Sequence, residues 1–334
     1  MTQPAIRVRH LSHRFGPFDV LRDVSFDVEQ GEIFGFIGPN GAGKTTTIRV
    51  MATLLEPMAG RVEIDGVDVT LDPETVRKRI GYMPDHAGVY ERVTVREYLE
   101  FFADAHRVSS ASIVAAVLEL TDLGTLSDKL VATMSKGQKQ RLQLARILLH
   151  DPKVLILDEP ASDLDPRARI EMRNLLGELR SLGKTILLSS HILTELSDVC
   201  TSVAILEKGR LIVAGPIAEI GARLDAQRAA EATGQPVSVS TPAREARVPV
   251  ARRRVKFRVV GAPEDALAVV ANAPGVAEVE LLGGWVVASV EGPELGIAQI
   301  VSHLVAAEIG ILGVEQERNE LERIFLEVTR GEMQ

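Results

Sequence analysis

The stretch "IFGFIGPNGAGKTTT", residues 33–47, limits what this chain can fold into more than any other. A short, uncharged apolar run enters a glycine-rich turn and leaves it into residues that open a helix. The turn matches G-x-x-x-x-G-K-[ST] at Gly38, Gly43, Lys44 and Thr45. Glycines at those places let the backbone wrap an anion with its N–H groups pointing inward. A lysine here reaches the β- and γ-phosphates of a nucleotide, and the threonine hydroxyl can sit on Mg²⁺. The loop works only between a buried strand and a helix, so the motif predicts an α/β domain with a parallel sheet.

Other segments agree. "KVLILDEP" and "TILLSSH" are short, continuous apolar runs rich in branched residues, as expected of strands buried on both faces. The first ends on Asp158, suited to holding Mg²⁺ through its water shell, followed by Glu159, which can polarise an attacking water. The second ends at His191. In an open parallel sheet, ligands gather at the carboxyl ends of the strands, so His191 is expected on the same edge as the glycine loop and within reach of a γ-phosphate. "AIRVRHLSHRF" and "VLRDVSFDVEQGE" read as alternating strands, while Asp65-Gly66 and Lys208-Gly209 read as hairpin turns. From about Val93 to His150 the apolar spacing is helical. The α/β domain is therefore drawn over residues 1–224, with a helical subdomain at about 86–150.

"MSKGQKQRLQLAR", residues 134–146, looks like a second phosphate cradle. Ser135-x-x-Gln138 forms a capping box, which accounts for the serine and glutamine. It does not account for Gly137, because glycine destabilises a first helical turn. Glycine is useful where an anion must approach the backbone, and the first loop encloses its phosphates from one side only. A second cradle would complete that site most simply from another copy of the chain.

The 334 residues carry a net charge of −8, which argues against a nucleic-acid binder relying on bulk charge. A single cysteine, Cys200, excludes an intramolecular disulfide, suits a reducing, cytosolic compartment and reads as a small buried hydrophobe. The first residues, "MTQPAIRVRHLSHRF", lack the apolar core of a signal peptide, and no apolar stretch is long enough to cross a bilayer. Action at a membrane would need a partner. Composition shifts near Ala226, and residues 225–253 read as a linker, its Arg252–Arg254 cluster solvated. Residues 254–334 then give the order β-α-β-β-α-β, with Gly283-Gly284 at a hairpin turn, the pattern of a ferredoxin-like domain, closed by a last helix, "NELERIFLEVTR".

The ordered set "GPNGAGKTTT", "MSKGQKQR", "VLILDEP", "SDLDP" and "SSH" closely resembles the ATP-binding subunits of ABC transporters over about residues 4–220. "MPD" with "SKGQKQ", and the C-terminal domain ending "LERIFLEVT", are similar to subunits serving ABC-2-type exporters. The resemblance implies a P-loop NTPase cassette, with a RecA-like core, an antiparallel β subdomain and a helical subdomain, plus the C-terminal α+β domain. It implies an ATPase acting with Mg²⁺, bound peripherally at the cytoplasmic face of the cell membrane through a separate transmembrane permease subunit. Two nucleotide-binding subunits, identical or paralogous, would pair head to tail, each ATP held between the Walker A loop of one and the signature, Ser135–Gln138, of the other. The implied nucleotide contacts are Phe15 (stacked on adenine), Gly38, Asn40, Gly41, Gly43, Lys44, Thr45, Thr46, Asp85, Ser135, Gly137 and Gln138. The implied metal contacts are Thr45, Asp158 and Asp85, and the catalytic residues Glu159 and His191. Asp163 and Asp165 fall in the stretch similar to the D-loop, which crosses the dimer interface. Three positions depart from the family pattern: Asp85 stands where glutamine is common in the Q-loop, Lys136 replaces the first signature glycine, and Asp163 stands where glycine is frequent.

A cassette ATPase without a membrane partner, acting on ribosomes or DNA, is the alternative reading. Such proteins usually carry two cassettes in one chain or long coiled-coil insertions, and this chain has one cassette and a compact insertion. A GTP switch is disfavoured because the chain contains no Asn-Lys pair.

Overall fold

The structure is a computed structural model and describes residues 3–85, 88–108, 111–197, 199–224, 252–291, 295–316 and 320–329. By contacts the chain divides into two compact units, Met1–Gly221 with Leu321–Gln334, and Ala222–Glu320.

The first unit holds two sheets. The antiparallel one has the order β2-β1-β4-β5, from β1 (Ile6–Phe15), β2 (Phe18–Val28), β4 (Ala59–Ile64) and β5 (Val67–Asp68). The other has six strands: β3 (Ile33–Ile37), β6 (Ile80–Met83), β7 (Val154–Asp158), β8 (Thr185–Ser190), β9 (Ser202–Glu207) and β10 (Arg210–Pro216), ordered β10-β9-β3-β8-β7-β6. All pairs in this second sheet are parallel except β9 with β10. Strands β3, β7 and β8 are buried at every residue, which is why their sequences run apolar without alternation. The two sheets share a core in which Phe26 of β2 packs on Phe34 and Phe36 of β3, with ring centroids 5.6 and 5.4 Å apart.

The strand order matters for the site. Strand β8 lies between β3 and β7, with Ile37 in register with Ser190 and Asp158 with Ser189. The parallel direction brings the carboxyl ends of all three to one edge. Helix α1 (Lys44–Met51) leaves the glycine loop at that edge, and α2 (Pro73–Arg79) is capped by Asp72, whose Oδ1 accepts from the Thr75 N–H. The expected helical subdomain contains α3 (Val95–Ala105), α4 (Ala111–Leu120) and α5 (Lys136–Leu148). Both α3 and α5 open with complete capping boxes, Thr94/Glu97 and Ser135/Gln138. Helix α6 (Pro166–Ser181) and the short α7 (Leu193–Leu196) follow β7 and β8. Among the described residues, no helix is long and apolar enough to cross a membrane.

The second unit has β11 (Arg252–Val259), α8 (Pro263–Ala271), β12 (Val276–Leu282), β13 (Trp285–Glu291), α9 (Leu295–Ala306) and β14 (Ile311–Gln316). The sheet order is β12-β13-β11-β14 with every pair antiparallel, the arrangement expected of a split β-α-β motif. Its core gathers Phe257, Val286, Ala288, Val270, Ile300 and Leu304 from both helices and the sheet. All three expected hairpin turns have two consecutive positive φ values: 47° and 78° at Asp65-Gly66, 46° and 77° at Lys208-Gly209, and 57° and 83° at Gly283-Gly284. Glycine at the second position suits such turns.

Two boundaries move. Residues 225–251 of the expected linker lie outside the described residues, but its last two, Arg252 and Arg253, are not linker. Their backbone begins β11 and pairs with Glu291 and Val290 of β13, because pairing with a central strand extends the ladder past the point where apolar alternation begins. The last helix, α10 (Glu320–Thr329), groups from Leu321 with the first unit rather than with the ferredoxin-like sheet. It is amphipathic, and its Leu321 and Ile324 are buried.

Candidate active site

The glycine loop adopts the backbone its composition suggests. Gly41 and Gly43 have φ of 81° and 107°, where side chains are strained. At Gly38 a Cβ would lie 2.3 Å from the Leu206 carbonyl oxygen, so only glycine fits between β3 and β9. At Gly43 a Cβ would lie 2.6 Å from Leu21 Cδ2 of β2, so the antiparallel sheet presses against the loop. Phe15, half exposed at the end of β1, pairs with Phe18 across that same hairpin and packs edge-on against His13 at 4.7 Å. Asn40, Gly41 and Thr45 are exposed and Thr46 is half-buried, while Lys44 is only 6% exposed.

Lys44 lies over its own loop. Its Nζ donates to the Gly38 carbonyl at 2.6 Å and stands 3.7 Å from Oε1 of Glu159. The other Glu159 oxygen, Oε2, is 2.5 Å from Nδ1 of His191. A carboxylate only accepts, so Nδ1 carries the proton in this contact. The structure thus brings together three residues that sequence places 115 and 32 positions apart: Lys44, Glu159 and His191. Asp158, 2% exposed, ends β7, and its Oδ1 accepts from Ser189 Oγ at 2.5 Å. Asp85 accepts weakly from Ser162 Oγ at 3.4 Å, which links the Q-loop position to the segment after Glu159. Burial, and secondarily the Asp158 charge, push the Tyr82 phenol above its ordinary value, so it stays protonated beside that acid.

The signature residues are organised differently. Ser135 Oγ accepts from the Gln138 N–H at 3.2 Å, and Gln138 Oε1 accepts from the Ser135 N–H at 3.1 Å. A capping box serves the donors of the cap residue and of the third helical position, and leaves the amides of Lys136 and Gly137 for another acceptor. Gly137 has a reason that sequence reasoning missed: a Cβ there would lie 2.8 Å from Ala168 Cβ, so helices α5 and α6 cross where only glycine fits. Beside that crossing, Lys136 Nζ donates to Asp163 Oδ2 at 2.8 Å. Two departures from the family pattern therefore form one ion pair, joining the signature to the D-loop stretch. Asp165 caps α6 by accepting from the Ala168 N–H at 2.9 Å. Among the described residues, the side-chain contacts of Ser135–Gln138 run to Lys129 and Asp163, not to Gly38–Thr46.

Sequence reading also missed Ser189, a buried side chain between the two acids, and the left-handed φ of 51° at Glu159. Neither has a local signal. Cys200 is buried, as expected, and burial pushes its thiol far above the ordinary range, so it is inert.

Comparison with known proteins identifies the family. The family model described as ABC transporter matches residues 21–162, and a narrower one, described as AAA domain, putative AbiEii toxin, type IV TA system, matches residues 130–198. The ABC transporter ATP-binding protein NatA of Bacillus subtilis is 37% identical over 201 residues, 59% of this chain and 82% of that protein. The daunorubicin resistance ATP-binding protein DrrA3 of Streptomyces coeruleorubidus is 37% identical over 231 residues, 68% and 73% of the two chains. A solved ATP-binding subunit of an ABC transporter superposes with a TM-score of 0.60 at 34% identity, covering 66% of this chain and 93% of that one. The chain therefore belongs to the family of ABC transporter ATP-binding subunits, which are ATPases.

Proposed function

We propose that this subunit pairs head to tail with a second copy or a paralogue around two ATP molecules, and powers export through a separate ABC-2-type transmembrane subunit at the cytoplasmic face of the membrane. The observation that carries the ATPase half is the Lys44–Glu159–His191 constellation. His191 holds one Glu159 oxygen, which leaves Oε1 as the base. Lys44 now rests near that oxygen and on the Gly38 carbonyl. Phosphates entering the loop draw its ammonium away, and Oε1 then accepts the proton of an attacking water. Phe15, on the hairpin that presses against the loop, supplies a flat apolar surface for adenine.

The oxygen donors at this edge suit Mg²⁺: an exposed Thr45 hydroxyl and the carboxylates of Asp158 and Asp85, with one Asp158 oxygen already fixed by Ser189. The ion would neutralise charge on the β- and γ-phosphates. The signature of the partner completes the site through the Lys136 and Gly137 amides and the Lys136 ammonium. Export, rather than import, is supported by relatives of Burkholderia named as Nod factor export ATP-binding proteins.

The test is Glu159→Gln, which keeps shape and removes the base. ATP binding should survive, turnover should fall by roughly a hundredfold or more, and size-exclusion chromatography should show an ATP-dependent dimer. A monomer with normal turnover refutes the reading, and co-purification from membranes identifies the permease.

A further inference from the structure

We infer that Ser189 is a positioning residue for hydrolysis: through one buried hydroxyl it orients the metal-holding carboxylate of Asp158 and the backbone of the base, Glu159. This inference rests on the roles proposed above for those two acids.

Ser189 is completely buried. Its Oγ donates to Asp158 Oδ1 at 2.5 Å and accepts from the Glu159 N–H at 3.0 Å. A hydroxyl has one donor and two acceptor sites, so a single serine does both; alanine does neither, and cysteine does them weakly. The need for it follows from the sheet. Asp158 and Ser189 are the last parallel pair of β7 and β8. Beyond Asp158 the chain turns away through the left-handed Glu159, and its N–H loses the ladder. The hydroxyl of the facing strand takes over as acceptor. Two residues further along the same chain, His191 grips the Glu159 carboxylate, so the end of β8 fixes the base at both its backbone and its side chain.

The consequence for chemistry is specific. With Oδ1 tied to Ser189, the Asp158 carboxylate cannot rotate freely, and Oδ2 is the oxygen left to face the ion's water shell. Partners of this kind, one step behind a metal-holding group, typically govern metal affinity or activity by roughly 10- to 100-fold. Threonine keeps the hydroxyl, with its donor and acceptor sites, and adds one methyl group, so it is the conservative replacement.

The experiment uses the full chain. Turnover is measured for Ser189→Ala, Ser189→Cys and Ser189→Thr, and Mg²⁺-dependent ATP binding is measured by calorimetry in a Glu159→Gln background. In Ser189→Ala, turnover should fall roughly 10- to 100-fold, and the Mg²⁺ concentration giving half-maximal ATP binding should rise by about tenfold or more. The KM for ATP at saturating Mg²⁺ should hold within about twofold. Ser189→Thr should restore both readouts, and Ser189→Cys should fall between; the cysteine variant serves if alanine prevents folding. Wild-type turnover and Mg²⁺ dependence in both Ser189→Ala and Ser189→Cys overturn the inference. So does an equal loss in alanine and threonine variants with unshifted Mg²⁺ dependence, since that is the behaviour of a packing residue. If Glu159→Gln by itself retains normal turnover, the underlying reading has failed instead.

Discussion

Gly137→Ala separates the two reasons for a glycine in the signature. The new Cβ would stand 2.8 Å from Ala168 Cβ, against an ordinary carbon–carbon contact of about 3.5–4.0 Å. Helices α5 and α6 must then move apart by roughly 1 Å, and overpacking of that kind costs about 1–3 kcal/mol. Alanine regains up to about 1 kcal/mol of helix propensity. With the full propensity gain, the expected net result is a destabilisation of up to about 2 kcal/mol. Removing the other methyl, in Ala168→Gly, should make room. In a double-mutant cycle followed by urea unfolding, the pair should be more stable than the sum of the single changes by roughly 1–2 kcal/mol. Gly137→Ala at or above wild-type stability, with no coupling to Ala168→Gly, would refute the packing argument. ATPase activity read on the same proteins adds the second half: a double variant that regains stability but not turnover shows that the glycine also serves the anion.

Two further expectations follow from burial. The His106 and His150 rings stack 4.2 Å apart, with His150 Nε2 donating to the Ile80 carbonyl, and Arg146, Asp151 and Lys184 stand nearby. Burial lowers both histidines below their ordinary value, so the folded state binds fewer protons than the unfolded one; stability is complete above about pH 6.5 and is lost as pH falls below it. Thermal unfolding at pH 7.5 and 5.5 should show a larger drop for wild type than for His150→Gln, and equal drops would contradict this. Deleting the chain from Leu321 exposes the surface that Leu321 and Ile324 cover, at up to about 1.5–3 kcal/mol each, so the transition of the ATPase unit should shift down; an unchanged transition contradicts the grouping of that helix.

Much of the fold is written in short-range pattern. The glycine loop, the uncharged strands before Asp158 and His191, the three hairpin turns and the order β-α-β-β-α-β each depend on residues within a few positions of one another, where sterics and periodicity act directly. The candidate residues Lys44, Asp158, Glu159 and His191 were legible for that reason. What tertiary structure alone decided is how these pieces face one another. Strand β8 lies between the loop strand and the acid strand, a fact of sheet order that no local signal encodes, and it makes a silent serine the common partner of two acids 30 and 31 residues away. The same holds for Gly137 against Ala168 and for Lys136 against Asp163: both contacts arise from the crossing of two helices whose spacing is set by the core beneath them. The last helix reads as amphipathic from its sequence, but the surface that buries its apolar side is chosen by long-range packing, because an apolar face carries no address of its own.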